Sequence, residues 1–331
     1  MDVLEREVAR ARFPATNVLL FAATVVTTLW SGSNLATAPG APGAAGTGPL
    51  EVARAVAAAA WAGLPFAGSL VAILLSHEMG HYLLARRHRV DTTLPFFIPF
   101  LPWSMGGIGT LGAVIRLRSP MPSRRATLEI GAAGPIAGFV VALPLLLWGF
   151  AHSKVVQLEA GAGGHAWLQS PLGLLLERLG VLAAPSGGAS GYVFGDSLVT
   201  WAAERLTHGA LPGGSDILLH PVGIAAWFGM YVTTLNLLPL GQLDGGHVLY
   251  ALLGRERARA ASRIASWGLF ALGLTLSWTW FAWWLVTRLV VGTRHPPAMV
   301  EEPLTPGGKL VAILSLLLLA LTFAPVPLSL G

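Results

Sequence analysis

The chain has 331 residues, of which 54% are hydrophobic and 11% are charged, whereas soluble domains carry about 25% charged residues. Together with a mean hydropathy of +0.65, this composition predicts an all-α polytopic membrane protein and excludes cysteine chemistry and disulfides, because cysteine is absent. The net charge of +5 comes almost entirely from arginines at the ends of apolar segments, which indicates membrane topology rather than nucleic-acid binding.

The first apolar segment covers residues 17–30 and follows a stretch at 1–15 that carries charges of both signs. Ala-Thr-Ala at 36–38 resembles a signal-peptide cleavage site, but acidic residues in the leading region and Pro39 argue against cleavage. We therefore predict a retained first membrane span. It is followed by an uncharged loop rich in Pro, Gly and Ala at 37–49.

The next apolar stretch runs from residue 55 to residue 84, which is too long for one straight span across about 30 Å of hydrocarbon. Gly-Leu-Pro at 63–65 is the natural break, so we predict a second span over 66–85. Arginines within 86–89 follow it and mark that end as cytoplasmic under the positive-inside rule.

This second span contains His77, Glu78 and His81 in the arrangement HExxH. Histidines four residues apart project from one face of a helix and can bind one divalent cation, and the adjacent glutamate can take a proton from a water that the ion has made acidic. A lone histidine in an apolar helix is usually a packing residue. Three ionisable groups at bilayer depth each cost roughly 2.5–3.5 kcal/mol and persist there mainly for a function.

Residues 94–118 contain three prolines and four glycines among apolar residues, so a continuous helix is not expected. Residues 112–118 have the pattern of a short strand, and non-helical backbone at this hydrophobicity needs shielding by protein or by a watery cavity. We predict a re-entrant β-hairpin or loop beside the active site. The GxGxxG pattern at 107–112 lacks a surrounding βαβ unit and does not indicate dinucleotide binding.

A third span is predicted over 127–150, and it opens with the small-residue run GAAGPIAG at 131–138, which permits close helix packing. The polar stretch 151–219, rich in Gly and Ser around 186–191, is predicted to lie outside the cytoplasm by alternation of spans. We expect it to be a loop region within a single domain that covers residues 1–331.

A fourth span is predicted over 220–238, where it runs into the sequence NLLPLGQLDGGH at 236–247. Residues 266–291 are compatible with one long helix or with two short helices that turn near Ser277. The hairpin keeps Arg288, Arg294 and Lys309 on the cytoplasmic side. The tryptophans within 278–284 are expected to form an interfacial belt. A last span over 310–323 brings the total to about six to seven membrane segments.

A catalytic zinc generally takes three protein ligands and leaves one position open, and HExxH supplies two. The inner ends of spans two and four lie at the same depth, so Asp244 is the predicted third ligand, although a turn or helix-cap role is common for Asp before Gly-Gly. Glu256 fits less well, because it lies in an arginine-rich segment. Asn236 could donate to a developing oxyanion or cap backbone groups freed at the break at Pro239.

The motifs together resemble the site-2 protease family of intramembrane zinc metalloproteases, in a branch without evident PDZ or CBS modules. This resemblance implies that one zinc ion is bound by His77, His81 and Asp244, that Glu78 is the catalytic base and that Asn236 stabilises the transition state. It also implies that residues 112–117 receive the substrate. The segments that carry the resemblance are SHEMGHYLLARRH at 76–88, LPFFIP at 94–99, GTLGAVIRLRS at 109–119, AGPIAG at 133–138 and NLLPLGQLDGGH at 236–247.

The expected function is therefore hydrolysis of peptide bonds in or near transmembrane segments of other membrane proteins, in the lipid bilayer. The arginine-rich, lysine-poor composition favours a bacterial inner membrane, with the active site near the cytoplasmic side. Two alternatives remain. A membrane metal transporter could use the same His/Asp cluster, although neither inverted repeats nor polar residues along several spans are evident. A membrane zinc peptidase acting on soluble or prenylated tails would have a glutamate ligand instead of Asp244.

Overall fold

Helices form most of the computed structural model of this chain, which describes residues 14–36, 48–157, 170–179, 192–292 and 295–330. The predicted Gly/Ser-rich patch at 186–191, most of the loop at 37–49 and Arg294 lie outside these residues. The helices are α1 (Ala15–Ala36), α2 (Pro49–Arg87), α3 (Arg124–Ala151), α4 (Pro171–Arg178), α5 (Leu198–His208), α6 (Pro221–Leu237), α7 (Asp244–Leu253), α8 (Arg255–Thr275), α9 (Trp278–Val286) and α10 (Pro306–Thr322).

Three helices in the described part of the chain, α1, α2 and α3, are long and apolar enough to cross a membrane, and α10 is a shorter apolar helix. The mostly helical membrane protein expected from composition is thus confirmed. The total of six to seven segments stays a prediction. α3 lies at the centre of the fold, where it contacts α2, α6 and α7.

The break predicted at 63–65 is wrong, because α2 continues through Pro65 as one helix of 39 residues. Proline removes one backbone hydrogen bond, but neighbouring helices can stabilise a membrane helix across such a position. Here α1 supplies that contact: a Cβ atom at Gly63 would lie 2.1 Å from the carbonyl oxygen of Leu29. Phe66 and Leu70 are fully buried directly after the proline. The packing of the first two helices therefore outweighs the local preference for a break.

Short antiparallel pairs account for the six strands in the described part of the chain, which are β1 (Phe96–Pro99), β2 (Thr110–Val114), β3 (Lys154–Gln157), β4 (Tyr192–Phe194), β5 (Ser215–Leu218) and β6 (Leu328–Leu330). The sheets are β1–β2, β3–β5 and β4–β6. The composition did not indicate the second and third pairs. The second pair brings together the two ends of the stretch 151–219, whose location outside the cytoplasm stays a prediction.

The β1–β2 hairpin agrees with the expected hairpin in residues 94–118, but its second strand begins at Thr110 and ends at Val114 rather than covering 112–118. Beyond β2 the chain continues to pair irregularly with residues 91–93. Arg118 N–H donates to the Asp91 carbonyl at 2.8 Å, and Thr93 N–H donates to the Arg116 carbonyl at 3.1 Å. That the hairpin re-enters a membrane stays a prediction.

Of the two alternatives for residues 266–291, the structure has the hairpin, with its turn at Ser277, the N-cap of α9. The first arm, α8, begins at Arg255 and is longer than predicted. The interfacial belt is wrong for Trp280, which is fully buried and donates its indole N–H to the Pro325 carbonyl at 2.7 Å. An indole is buried at low cost when its N–H finds an acceptor.

We expect Gly63→Ala to destabilise the protein by about 1–3 kcal/mol, the usual cost of overpacking, because the added methyl group would overlap the Leu29 carbonyl. Thermal unfolding in detergent measures the effect. Gly68→Ala in the same helix is the matched control, since a Cβ atom there would have nothing within 4 Å. Equal unfolding temperatures for the two variants would show that the α1–α2 contact does not support the helix.

Candidate metal centre

The centre of the molecule holds two histidines of α2 and the first residue of α7. His77 and His81 are buried, at 3% and 6% exposure, and stand one helical turn apart on the same face. The Nε2 atoms of both imidazoles lie 3.3 Å from Oδ2 of Asp244 and 3.2 Å from each other. Three potential ligand atoms therefore converge on one point, as HExxH and the topology argument predicted.

These distances fit a tetrahedral zinc ion. Ligand atoms about 2.0–2.1 Å from a tetrahedral zinc lie roughly 3.3 Å from one another, which is the spacing of the three atoms here. The tautomer also fits: His81 Nδ1 is 2.7 Å from the Ile130 carbonyl oxygen, to which only a protonated nitrogen can donate, so in the neutral ring the lone pair is on Nε2. Such a hydrogen bond from the other ring nitrogen is typical of metal-binding histidines. His77, His81 and Asp244 could thus hold a metal ion.

Asp244 reaches the histidines because the chain turns sharply between α6 and α7. A Cβ atom at Gly245 would lie 1.9 Å from the carbonyl oxygen of Leu237, so a glycine is needed where the start of α7 packs on the end of α6. The helix-cap alternative has less support, because the N-cap of α7 is Leu243 and has no side-chain cap. The ion-pair contacts of Asp244 are with the two histidines.

Glu78 is buried, at 6% exposure, and its carboxylate lies near the backbone N–H of Ile115, just beyond β2. The carboxylate faces a cavity of about 200 Å³ that also contains the three potential ligands. Further residues that line this cavity are Ala113, Val114, Ile115, Leu117, Ile130, Gly131, Asn236, Gln242, Leu243 and His247. A buried carboxylate beside a metal site and a cavity is suited to accept a proton from a water molecule.

Asn236 lies in the last turn of α6, and its side-chain nitrogen is 3.2 Å from Nε2 of His77. The side chain therefore lines the cavity beside the potential ligands. From there it could donate a hydrogen bond to a substrate oxygen. The transition-state role of Asn236 stays a prediction.

Sequence reasoning did not predict how the small-residue run of α3 contributes to the site. A Cβ atom at Gly134 would lie 2.0 Å from Nε2 of His81, and one at Gly131 would lie 2.6 Å from Cβ of His247. The run therefore provides room for an imidazole in addition to helix packing. The available signal was the spacing of the glycines at 131, 134 and 138, which places them on one helix face.

A helical membrane protein with a buried His/His/Asp cluster and an adjacent glutamate has the features of a membrane metalloprotease. Residues 65–278 match peptidase family M50, and the chain belongs to this family, the site-2 protease family. This match confirms the resemblance seen in the motifs. No solved structure matches the chain significantly.

Plant proteins are among its relatives. The chain is 31% identical over 80% of its length to the probable zinc metalloprotease EGY2, chloroplastic, of Arabidopsis thaliana. It is 28% identical over 79% of its length to the probable zinc metalloprotease EGY1, chloroplastic, of Oryza sativa subsp. japonica. The matched parts cover 42% and 40% of these relatives, so the chain spans about two fifths of their length.

We expect Gly134→Ala to weaken zinc binding by roughly 10–100-fold, the range found when groups that orient metal ligands are altered, because the new methyl group would displace the His81 imidazole. Zinc content after dialysis against graded chelator measures this. The control is Gly138→Ala on the same helix, where a Cβ atom would approach His77 no closer than 3.3 Å. If both variants kept zinc equally well, Gly134 would have no role in placing His81.

Proposed function

We propose that this protein is a zinc-dependent endopeptidase that hydrolyses peptide bonds in or near transmembrane segments of other membrane proteins. The observation that carries the proposal is the convergence of His77, His81 and Asp244, with Glu78 beside them, in a cavity within a bundle of apolar helices. In the described residues the third potential ligand is an aspartate. This disfavours the alternative of a peptidase with a glutamate ligand.

A zinc ion held by His77, His81 and Asp244 would act as a Lewis acid that makes a water molecule more acidic. Glu78 would accept the proton of the attacking water and pass it to the leaving nitrogen of the peptide bond. The Ile115 N–H would hold the Glu78 carboxylate towards the cavity, and Asn236 would donate a hydrogen bond to the carbonyl oxygen as negative charge develops there.

The substrate would bind as an added strand along the free edge of β2. Arg116 bonds to the neighbouring strand, since its N–H donates to Thr93 Oγ1 at 3.0 Å and its carbonyl accepts from Thr93 N–H. The Ile115 N–H points the opposite way, towards Glu78. Backbone groups alternate along an extended strand, so the N–H and carbonyl of Ala113 also point to the cavity, which Ala113 lines.

Such an edge solves the central problem of intramembrane proteolysis. A substrate helix satisfies its carbonyls in i to i+4 hydrogen bonds, so it must unwind before a peptide bond can be attacked. Unsatisfied backbone groups in hydrocarbon cost several kcal/mol each. Pairing with the outward groups of Ala113 and Ile115 would compensate the unwound segment and place it beside Glu78.

We propose a bacterial inner membrane as the location, with about six to seven membrane segments and the site near the cytoplasmic side. The arginines at the end of α2 and at the start of α8 support this orientation through the positive-inside rule. The names of the relatives describe them as chloroplastic. The stretch 151–219 would then lie on the opposite side of the membrane, within a single domain over 1–331.

Glu78→Gln should abolish cleavage of a model transmembrane peptide, with a loss of at least about 100-fold, because the amide cannot accept the proton of water. Zinc content should stay at the wild-type level, since Glu78 is not a ligand. His77→Ala is the comparison variant and should lose both zinc and activity. Full activity of Glu78→Gln would refute the assignment. Zinc uptake into vesicles without proteolysis would indicate a transporter instead.

Ala113→Pro should lower cleavage of the transmembrane peptide by roughly tenfold or more, because proline removes an outward N–H that would pair with the substrate. Zinc content should not change, since Ala113 is not one of the three potential ligands. Ala113→Ser keeps the N–H with little change in side-chain volume and should cleave normally. Normal cleavage by Ala113→Pro would refute strand addition along β2, while the zinc peptidase assignment would stand.

A further inference from the structure

The first helix, α1, contains none of the site residues and lies outside the residues that match the family. Much of its surface is apolar and exposed, at Val18, Leu19, Val26 and Trp30. A second face carries small and polar side chains, of which Thr24, Thr28 and Ser31 are buried. A polar face on an apolar helix is costly in a membrane unless it meets a partner. Part of this face contacts the β1–β2 hairpin.

At the start of α1, the side-chain amide of Asn17 donates two hydrogen bonds, to the carbonyls of Leu94 at 3.0 Å and Pro95 at 2.9 Å. These carbonyls come directly before β1. Both N–H groups of the amide therefore donate to the hairpin segment. Next along the helix, Phe21 packs on Phe97 of β1, with ring centroids 5.0 Å apart.

Further along, the Thr27 hydroxyl donates to the Gly109 carbonyl at 2.6 Å, at the residue before β2. The backbones nearly touch there, since a Cβ atom at Gly109 would lie 2.5 Å from the Thr27 carbonyl oxygen. At the hairpin tip, Trp103 N–H donates to Ser31 Oγ at 3.1 Å. Asn17 and Ser31 are 14 residues apart, so these contacts extend over roughly 21 Å of helix.

Two consequences follow for the hairpin. Because α1 covers β1, the edge of the hairpin that is left for an added strand is that of β2, which faces the cavity. Because the contacts lie near the base, the middle and the tip, the hairpin cannot slide along α1 without breaking them. On its other side the hairpin borders the cavity that contains Glu78, which Val114 and Ile115 also line.

We propose that α1 sets the position of the substrate-binding hairpin. Asn17 and Thr27 are positioning residues that fix the β1–β2 hairpin, and they thereby determine which peptide bond of an added strand is cut. This inference rests on the proposed function. A slip of one residue moves a strand by about 3.3 Å and exchanges its two faces. A hairpin that is held less firmly would therefore present neighbouring peptide bonds to Glu78.

The test uses the full chain, purified with zinc in detergent, and a synthetic transmembrane peptide whose products are identified by mass spectrometry. Asn17→Leu and Thr27→Val remove the polar contacts and keep similar side-chain size. Each should raise the fraction of product from neighbouring bonds by roughly fivefold, as expected for loss of one or two net hydrogen bonds. The double variant should raise it further. Zinc content should stay at the wild-type level.

Thr27→Ser keeps the hydroxyl and is the matched control, for which we expect the wild-type cleavage site. An unchanged product pattern in the double variant would overturn the inference, and so would loss of zinc, because α1 would then support the metal site itself. If the wild-type protein cut no peptide, the proposed function would fail instead. The wild-type reaction therefore separates the two failures.

Discussion

The structure depends on one shared contact, the approach of a single carboxylate oxygen of Asp244 to two imidazole nitrogens at 3.3 Å each. A carboxylate buried among helices is unfavourable unless it is paired or binds a metal. Both histidines come from one turn of α2 and the carboxylate comes from the start of α7, so the contact joins segments more than 160 residues apart in the chain. The site can form only where these helix ends meet, and the central position of α3 beside both is part of that arrangement.

The contact between Asp244 and the two histidines requires that α3 packs closely against its neighbouring helices. The Ile130 carbonyl of α3 orients His81 at 2.7 Å, and Gly134 leaves the space that the imidazole occupies. A larger residue at that position would move the helix or the ring. The same helix therefore orients a potential ligand and provides the room for it, which explains why small residues are concentrated on this part of α3.

The hairpin connects the metal centre to the proposed substrate edge. Its strand β2 leads to Ile115, which lines the cavity beside Glu78, while α1 contacts the opposite strand. The proposed proton acceptor and the proposed binding edge are thus neighbours on one short piece of backbone. A substrate strand bound at Ala113 would lie next to Glu78 because adjacent strands are separated by only about 4.8 Å.

Composition and motif spacing alone predict the helical membrane character, the pair of histidines with their glutamate, and Asp244 as the partner suggested by matching depth. These are properties of composition, of helical spacing and of charge at the helix ends, which are local. Three features depend on tertiary packing: α2 runs through Pro65, Trp280 is buried, and Gly134, the Ile130 carbonyl and Ile115 shape the site. Each of these features depends on which atoms of distant segments come into contact. Backbone carbonyls and amides have the same chemistry in nearly every residue. A sequence therefore does not mark the backbone groups that tertiary packing will bring to a site.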